Sequence, residues 1–229
     1  MKKVIIVVMI LAIYYIFKKI KKTHHSLFLG TGIHIDKVTS DYANSIPSCN
    51  IANPKLDGKF TYGFWMYIKD FYFNSECNCW KHIFHKGTDM EHHDVITYKD
   101  SEWDSLTHDV SEQGIGLWLS PDVNNLRIVF NLDNNNNSIV EMKYIDIVDV
   151  PIKELFHITI SINHNFIEVY MNGNLYLSKQ FEKNIVYNRK NLFFSNQHTY
   201  RGSMYNFTYL PRLIKTNEIT YLYENKPKL

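Results

Sequence analysis

The sequence predicts an all-β chain, an antiparallel two-sheet jelly-roll sandwich, preceded by one N-terminal transmembrane helix. Three observations carry this reading. From residue 60 onward, apolar and polar residues alternate over stretch after stretch, the period of strands with one buried face. These stretches are short and are divided by Asn, Gly, Pro and Asp at the spacing of an all-β domain. Ahead of them, MKKVIIVVMILAIYYIFKKIKK holds an uninterrupted apolar run flanked by lysines. With 229 residues, 45% of them hydrophobic, the chain can bury one sizeable core. The formal net charge is +2, and many of the lysines lie at the extreme N-terminus, so no basic face for nucleic acid is expected.

The apolar run covers residues 4–17, or 4–20 if Lys18 and Lys19 snorkel toward headgroups. That is the short end of a spanning helix, which needs about 17–20 residues. Bulky Tyr14, Tyr15, Ile16 and Phe17, followed by four lysines, offer no small-residue cleavage site, so an uncleaved anchor is expected rather than a signal peptide. Four lysines after the run against Lys2 and Lys3 before it lean toward a cytosolic C-terminal domain. The expected divisions are a membrane anchor with its lysine flanks at 1–22, a stalk with an irregular or edge strand near 26–35 over 23–59, and the sandwich at 60–229.

The elements follow in order. Phe60, Tyr62, Phe64, Met66 and Ile68 alternate with Thr61, Gly63, Trp65 and Tyr67, which predicts a strand covered on both faces. Residues 80–86, WKHIFHK, read as a short strand ending at Gly87. Residues 88–113 have no sustained period and form a long excursion, a length that is usually functional or disordered. Ile115, Leu117 and Leu119 give the next inward face, a Ser-Pro-Asp turn follows, and Leu126, Ile128 and Phe130 give another. Val140, Met142 and Tyr144 are expected to make a strand after the asparagine run 134–137. The pattern is clearest over 156–181, FHITISINHNFIEVYMNGNLYLSKQF, three strands in which Phe156, Ile158, Ile160 and Ile162 face inward. Asn172-Gly173 is a strong hairpin signal because both residues tolerate positive φ. A three-residue loop is expected there, pairing Met171 with Leu175 and Val169 with Leu177, because a slip of one residue would turn the apolar set outward. Residues 192–195 and 204–210 complete the series.

These residues carry a resemblance. FTYGFWMYI (60–68), WKHIFHKG (80–87), GIGLWLSPDVNNLRIVF (114–130), VYMNGNL (169–175) and RGSMYNFTYLPRLIKTNEI (201–219) resemble the concanavalin A-like, laminin-G-like jelly-roll family. The anchored, asparagine-rich form is similar to proteins of large DNA viruses. The resemblance implies two six- or seven-stranded sheets face to face, with any ligand on the concave face or on loops at one rim. It also implies calcium as the usual ion, for which Asp89, Asp94, Asp122 and Asn124 are the positions to name.

The paired carboxylates of a glucanase of this fold are missing. Only Glu102-Trp103-Asp104 approaches the pattern, without the second glutamate, and no Gly-x-Ser-x-Gly elbow exists. The adjacent His92 and His93 point to opposite sides of an extended chain, which makes a solvated loop the better reading than a metal site. Cys77 and Cys79 are too close to bridge without strain, so an oxidised chain would join Cys49 to one of them; three reduced thiols are the alternative. Sequons begin at Asn136 and Asn206. Of Trp65, Trp80, Trp103 and Trp118, three lie in predicted strands, leaving Trp103 as the expected surface aromatic.

The expectation is a single-pass membrane protein, placed in a virion or host membrane, that binds rather than catalyses. It would recognise a glycan or glycoprotein through Trp103, Asp89, Asp94, Asp122 and Asn124. A structural virion or membrane-assembly component is the alternative, and a glycoside hydrolase the third.

Overall fold

The computed structural model describes residues 13–15, 32–39, 44–54, 58–70, 80–88, 113–133, 141–195 and 200–228. It forms two antiparallel six-stranded sheets packed as a sandwich. The strands are β1 (Ile33–Thr39), β2 (Asn44–Ile46), β3 (Lys59–Ile68), β4 (Lys81–Gly87), β5 (Gln113–Leu119), β6 (Leu126–Leu132), β7 (Glu141–Ile147), β8 (Leu155–Asn163), β9 (Phe166–Met171), β10 (Asn174–Gln180), β11 (Asn191–Phe194) and β12 (Gly202–Leu210). One sheet runs β1-β12-β3-β8-β9-β10 and the other β2-β11-β4-β5-β6-β7; they are called the first and second sheet below.

The core forms where the alternation predicts it. Phe60, Tyr62, Phe64, Met66 and Ile68 of β3 meet Ile83 and Phe84 of β4, with Ile115, Leu117, Leu119, Leu126, Ile128 and Phe130 of β5 and β6 extending the same cluster. Rings interlock at its centre: Phe84 lies 5.4 Å edge-on to Phe207, and Phe194 4.9 Å edge-on to Phe207. Such pairs add roughly 0.5–1.5 kcal/mol each beyond the area they bury.

Two expectations are corrected. In β7 the inward face is Ile145 and Ile147, which pair with Ile128 and Leu126, while Met142 and Tyr144 lie on the outer face with Asn131 and Val129. Both faces of β7 are apolar enough to pass for the core face, and pairing with β6 decides. In the β9–β10 hairpin the loop has two residues: Asn172 (φ 51°) and Gly173 (φ 80°) are both left-handed, and Asn174 pairs with Met171. Leu175 then pairs with Tyr170 on the outer face. A bulge at Tyr176 restores the expected pairing of Leu177 with Val169.

The sequence reading ends on β12, but the chain adds a helix, α1 (Thr216–Glu224). The Glu218 carboxylate accepts from the Lys215 backbone N–H at its start, and it forms a bidentate pair with Arg212 at 2.8 Å. Helix α1 lies on the outer face of the first sheet with Ile219 and Leu222 buried. A Cβ at Gly63 would stand 2.7 Å from Leu222 Cδ1, so the missing side chain is what lets the helix seat on β3.

Of the expected anchor only residues 13–15 are described. They are helical, with Ile13, Tyr14 and Tyr15 exposed. Among the described residues no helix is long and apolar enough to cross a membrane.

Candidate functional site

Strand directions gather one set of connections at one rim of the sandwich. β5 and β6 close through residues 120–125, β7 runs into β8 through 148–154, and β9 turns into β10 at Asn172-Gly173. Hydrogen bonds join the first two: Val150 N–H donates to the Asn124 carbonyl at 2.8 Å, and the Asn124 side-chain Nδ2 donates to the Val150 carbonyl at 3.0 Å. The Asp149 N–H donates to Asn125 Oδ1 at 3.1 Å. The third connection joins them through the bulge, because Val148 N–H donates to the Tyr176 hydroxyl at 3.0 Å. Asn172 ties the hairpin to β8, its amide oxygen accepting from His157 N–H at 2.8 Å.

Five large apolar side chains stand exposed on the described part of the sandwich: Val123, Val148, Leu175, Tyr176 and Tyr223. All belong to this rim. Val123 is on the β5–β6 turn, Val148 on the β7–β8 link, Leu175 and Tyr176 on the bulged start of β10. Tyr223, at the end of α1, brings its ring to 3.3 Å from where a Gly173 Cβ would sit. Convergence of the exposed apolar surface on one edge marks an interaction site more than scattered exposure does. Around it stand polar groups, with Asp122 and Asp149 exposed and Asn124 and Asn125 half-buried. Asp122 Oδ1 accepts from the Ser120 hydroxyl at 2.7 Å, which fixes the turn. Asp149 and Lys153 hold left-handed backbones (φ 54° and 64°), so the β7–β8 link is locked in a shape that few residues prefer.

The rim contains Asp122 and Asn124 from the sequence expectation. Asp89, Asp94, Trp103, Cys77, Cys79 and Asn136 lie outside the described residues. The excursion that holds the first three starts after β4 and ends before β5, and its bracketing residues, Gly87 and Gln113, pair at the end of the second sheet opposite Asp122. Trp65 in β3, Trp118 in β5 and Trp80 just ahead of β4 are all buried. Cys49 is exposed with a free thiol. Asn206 sits in the bulge of β12 at φ 50° and donates its amide to the Asn225 carbonyl at 2.8 Å. Among the described residues no three His, Cys, Asp or Glu side chains gather to hold a metal. The sequence reading missed Tyr176 because it expected no bulge. The available signal was the alternation itself, which sets Tyr176 on the face opposite Leu177.

The outer face of the second sheet is a packed polar and aromatic layer. The Arg127 guanidinium lies 3.8 Å from the Tyr144 ring centre and 4.4 Å from that of Trp80, and it holds Asp146 through two bonds of 2.7 and 2.8 Å. His82 and His85 are hydrogen-bonded to each other at 2.8 Å, and burial, reinforced by His85, keeps His82 well below the usual histidine range. Trp80, His82, His85 and Arg127 are buried and Tyr144 and Asp146 half-buried, each engaged within the layer, so the layer is structural.

No family model matches the chain, and no curated protein does. Solved structures match it. The binding domain of botulinum neurotoxin serotype D is 14% identical with a TM-score of 0.55, over 82% of this chain and 41% of that one. The serotype G binding domain is 15% identical with a TM-score of 0.56, over 84% and 44%. The receptor binding domain of the C/D mosaic serotype is 15% identical with a TM-score of 0.55, over 83% and 42%. The chain thus spans less than half the length of the structures it matches. At this identity, what it shares with them is the fold, an antiparallel β-sandwich.

Proposed function

We propose that this chain is a non-catalytic binding module whose rim recognises a glycan or glycoprotein. The observation that carries the proposal is the gathering of all five exposed apolar side chains of the described sandwich at one edge, where Tyr176 and Tyr223 stand among Asp122, Asp149, Asn124 and Asn125. Aromatic rings bordered by carboxylates and amides suit sugars, which offer C–H faces for stacking and hydroxyls for hydrogen bonds. Tyr176 is pre-positioned for this role by the Val148 N–H that binds its hydroxyl. The neurotoxin domains of like fold are binding domains, which supports a binding rather than a catalytic reading. Residues 4–20 anchor the module in a virion or host membrane under this proposal, on the strength of the apolar run and its lysines.

The second reading, a structural component of a virion or membrane assembly, draws on β10, an edge strand exposed along nearly its whole length and suited to packing on a neighbouring protein. A glycan array probed with the chain, with calcium and with chelator, separates the two. Saturable binding to defined glycans, weakened by Tyr176→Ala, supports recognition. Silence across the array with folded protein leaves the structural role.

A further inference from the structure

Beneath α1 the first sheet is polar. β8 turns His157, Thr159 and Ser161 outward, and β3 adds Thr61 and Trp65. The Thr61 hydroxyl donates to the Arg212 carbonyl at 3.0 Å. His157 Nδ1 and Thr159 Oγ1, in contrast, are fully buried without a hydrogen-bond partner. Native folds rarely leave such atoms unpaired, because each forfeits its water without replacement. A contact meant to stay closed would be better served by apolar residues at both positions. The polar character continues onto β9, where Tyr170 pairs with Thr159 and Glu168 with Ser161, and the Tyr170 hydroxyl donates to Glu168 at 3.0 Å.

What covers this surface is small and shallowly held. Helix α1 has nine residues, too few to persist without docking. It buries only Ile219 and Leu222, and it is tied down by the Trp65 indole N–H to the Leu222 carbonyl at 3.3 Å and by Asn206 to the Asn225 carbonyl. The Tyr223 ring is stacked on Trp65 at 5.5 Å and 16°, and the His157 ring lies 5.3 Å from Trp65.

We infer that α1 is a displaceable cover occupying the seat of a neutral, sugar-sized polyhydroxylated ligand on the outer face of the first sheet. Tyr223 lies on Trp65 where the ring of that ligand stacks, and His157 Nδ1 and Thr159 Oγ1 are the atoms that its hydroxyls satisfy. Burial holds the His157 imidazole down to about 3, so it is uncharged at neutral pH and favours a neutral partner. This seat shares neither Tyr176 nor Asp122 with the rim, but displacing α1 moves Tyr223 out of the rim, so the test below carries a Tyr176→Ala arm to distinguish the two sites.

Two experiments on the full chain test the inference. In native-state hydrogen exchange, the amides of α1 are expected to exchange at least 100-fold faster than those of β3 and β8. Exchange of α1 together with the two strands would show that the cover does not open short of global unfolding and would overturn the inference. In the second, the double variant Ile219→Asp/Leu222→Asp lifts the helix, and the same neutral oligosaccharide array is read against the parent. At least a tenfold gain is expected for some oligosaccharide, lost when His157→Phe is added and kept when Tyr176→Ala is added. A folded double variant with no gain, or a gain that survives His157→Phe, overturns it. Should the double variant not fold, hydrogen exchange on the unmodified protein decides.

Discussion

Acidification should destabilise the fold through His157 in a window where most carboxylates stay charged. The side chain is 1% exposed, and burial holds its imidazole pKa at about 3, against the ordinary 6.5 in the unfolded chain. The pKa is depressed in the fold, so the unfolded state takes up the proton first. The stability contributed by the neutral imidazole is complete above 6.5 and is lost as pH falls toward 3. Between pH 7 and pH 5 the difference in proton uptake amounts to about 2 kcal/mol. Buried His82, also depressed, contributes in the same direction, so the measurement is a difference between parent and His157→Phe, which keeps a ring beside Trp65 and Tyr223. Urea unfolding at the two pH values should show the parent losing about 2 kcal/mol more than the variant. Equal losses would refute the claim that this imidazole is buried and neutral. So would an imidazole NMR titration of His157 in the folded protein with a midpoint near 6.5.

Further outcomes follow from the same geometry. Gly173→Ala forces a side chain into φ 80° and to 3.3 Å from the Tyr223 ring, and it should cost about 1 kcal/mol, read as a fall in Tm of roughly 3 °C. Arg127→Met removes both bonds to Asp146 and the contacts with Tyr144 and Trp80; since Asp146 keeps some access to water, the loss in urea unfolding should be about 3 kcal/mol, at the low end for breaking a buried pair. Tyr176→Phe loses only the bond from Val148 N–H at an exposed site, so its Tm should stay within about 2 °C of the parent.

The strands were legible where one face is plainly more apolar than the other. β3, β5, β6 and β8 bury the residues that their alternation names, because a slip of one place would expose a row of Phe, Ile or Leu. β7 was misread because Met142 and Tyr144 are as apolar as Ile145 and Ile147, and only the partner strand distinguishes them. In the β9–β10 hairpin the rule favouring two residues for Asn-Gly and the pull of the core on Leu177 conflict, and the chain satisfies both by inserting a bulge. The bulge falls at Tyr176, so the backbone around the residue central to the candidate site is irregular in a way that side-chain periodicity does not encode. Helix α1 went unseen because its pattern amounts to Ile219 and Leu222 alone. Its docking depends on Gly63, 156 positions before Ile219, where the absence of a side chain is the signal.

The central claim is that the rim around Tyr176 recognises a ligand. The most direct test is the affinity of Tyr176→Ala, relative to the parent chain, for the best glycan or glycoprotein found on the array. Loss of one stacking ring, worth about 1.4 kcal/mol, predicts roughly tenfold weaker binding with an unchanged melting temperature. Binding of equal strength in the variant would contradict the account, as would the absence of any ligand for the folded parent chain.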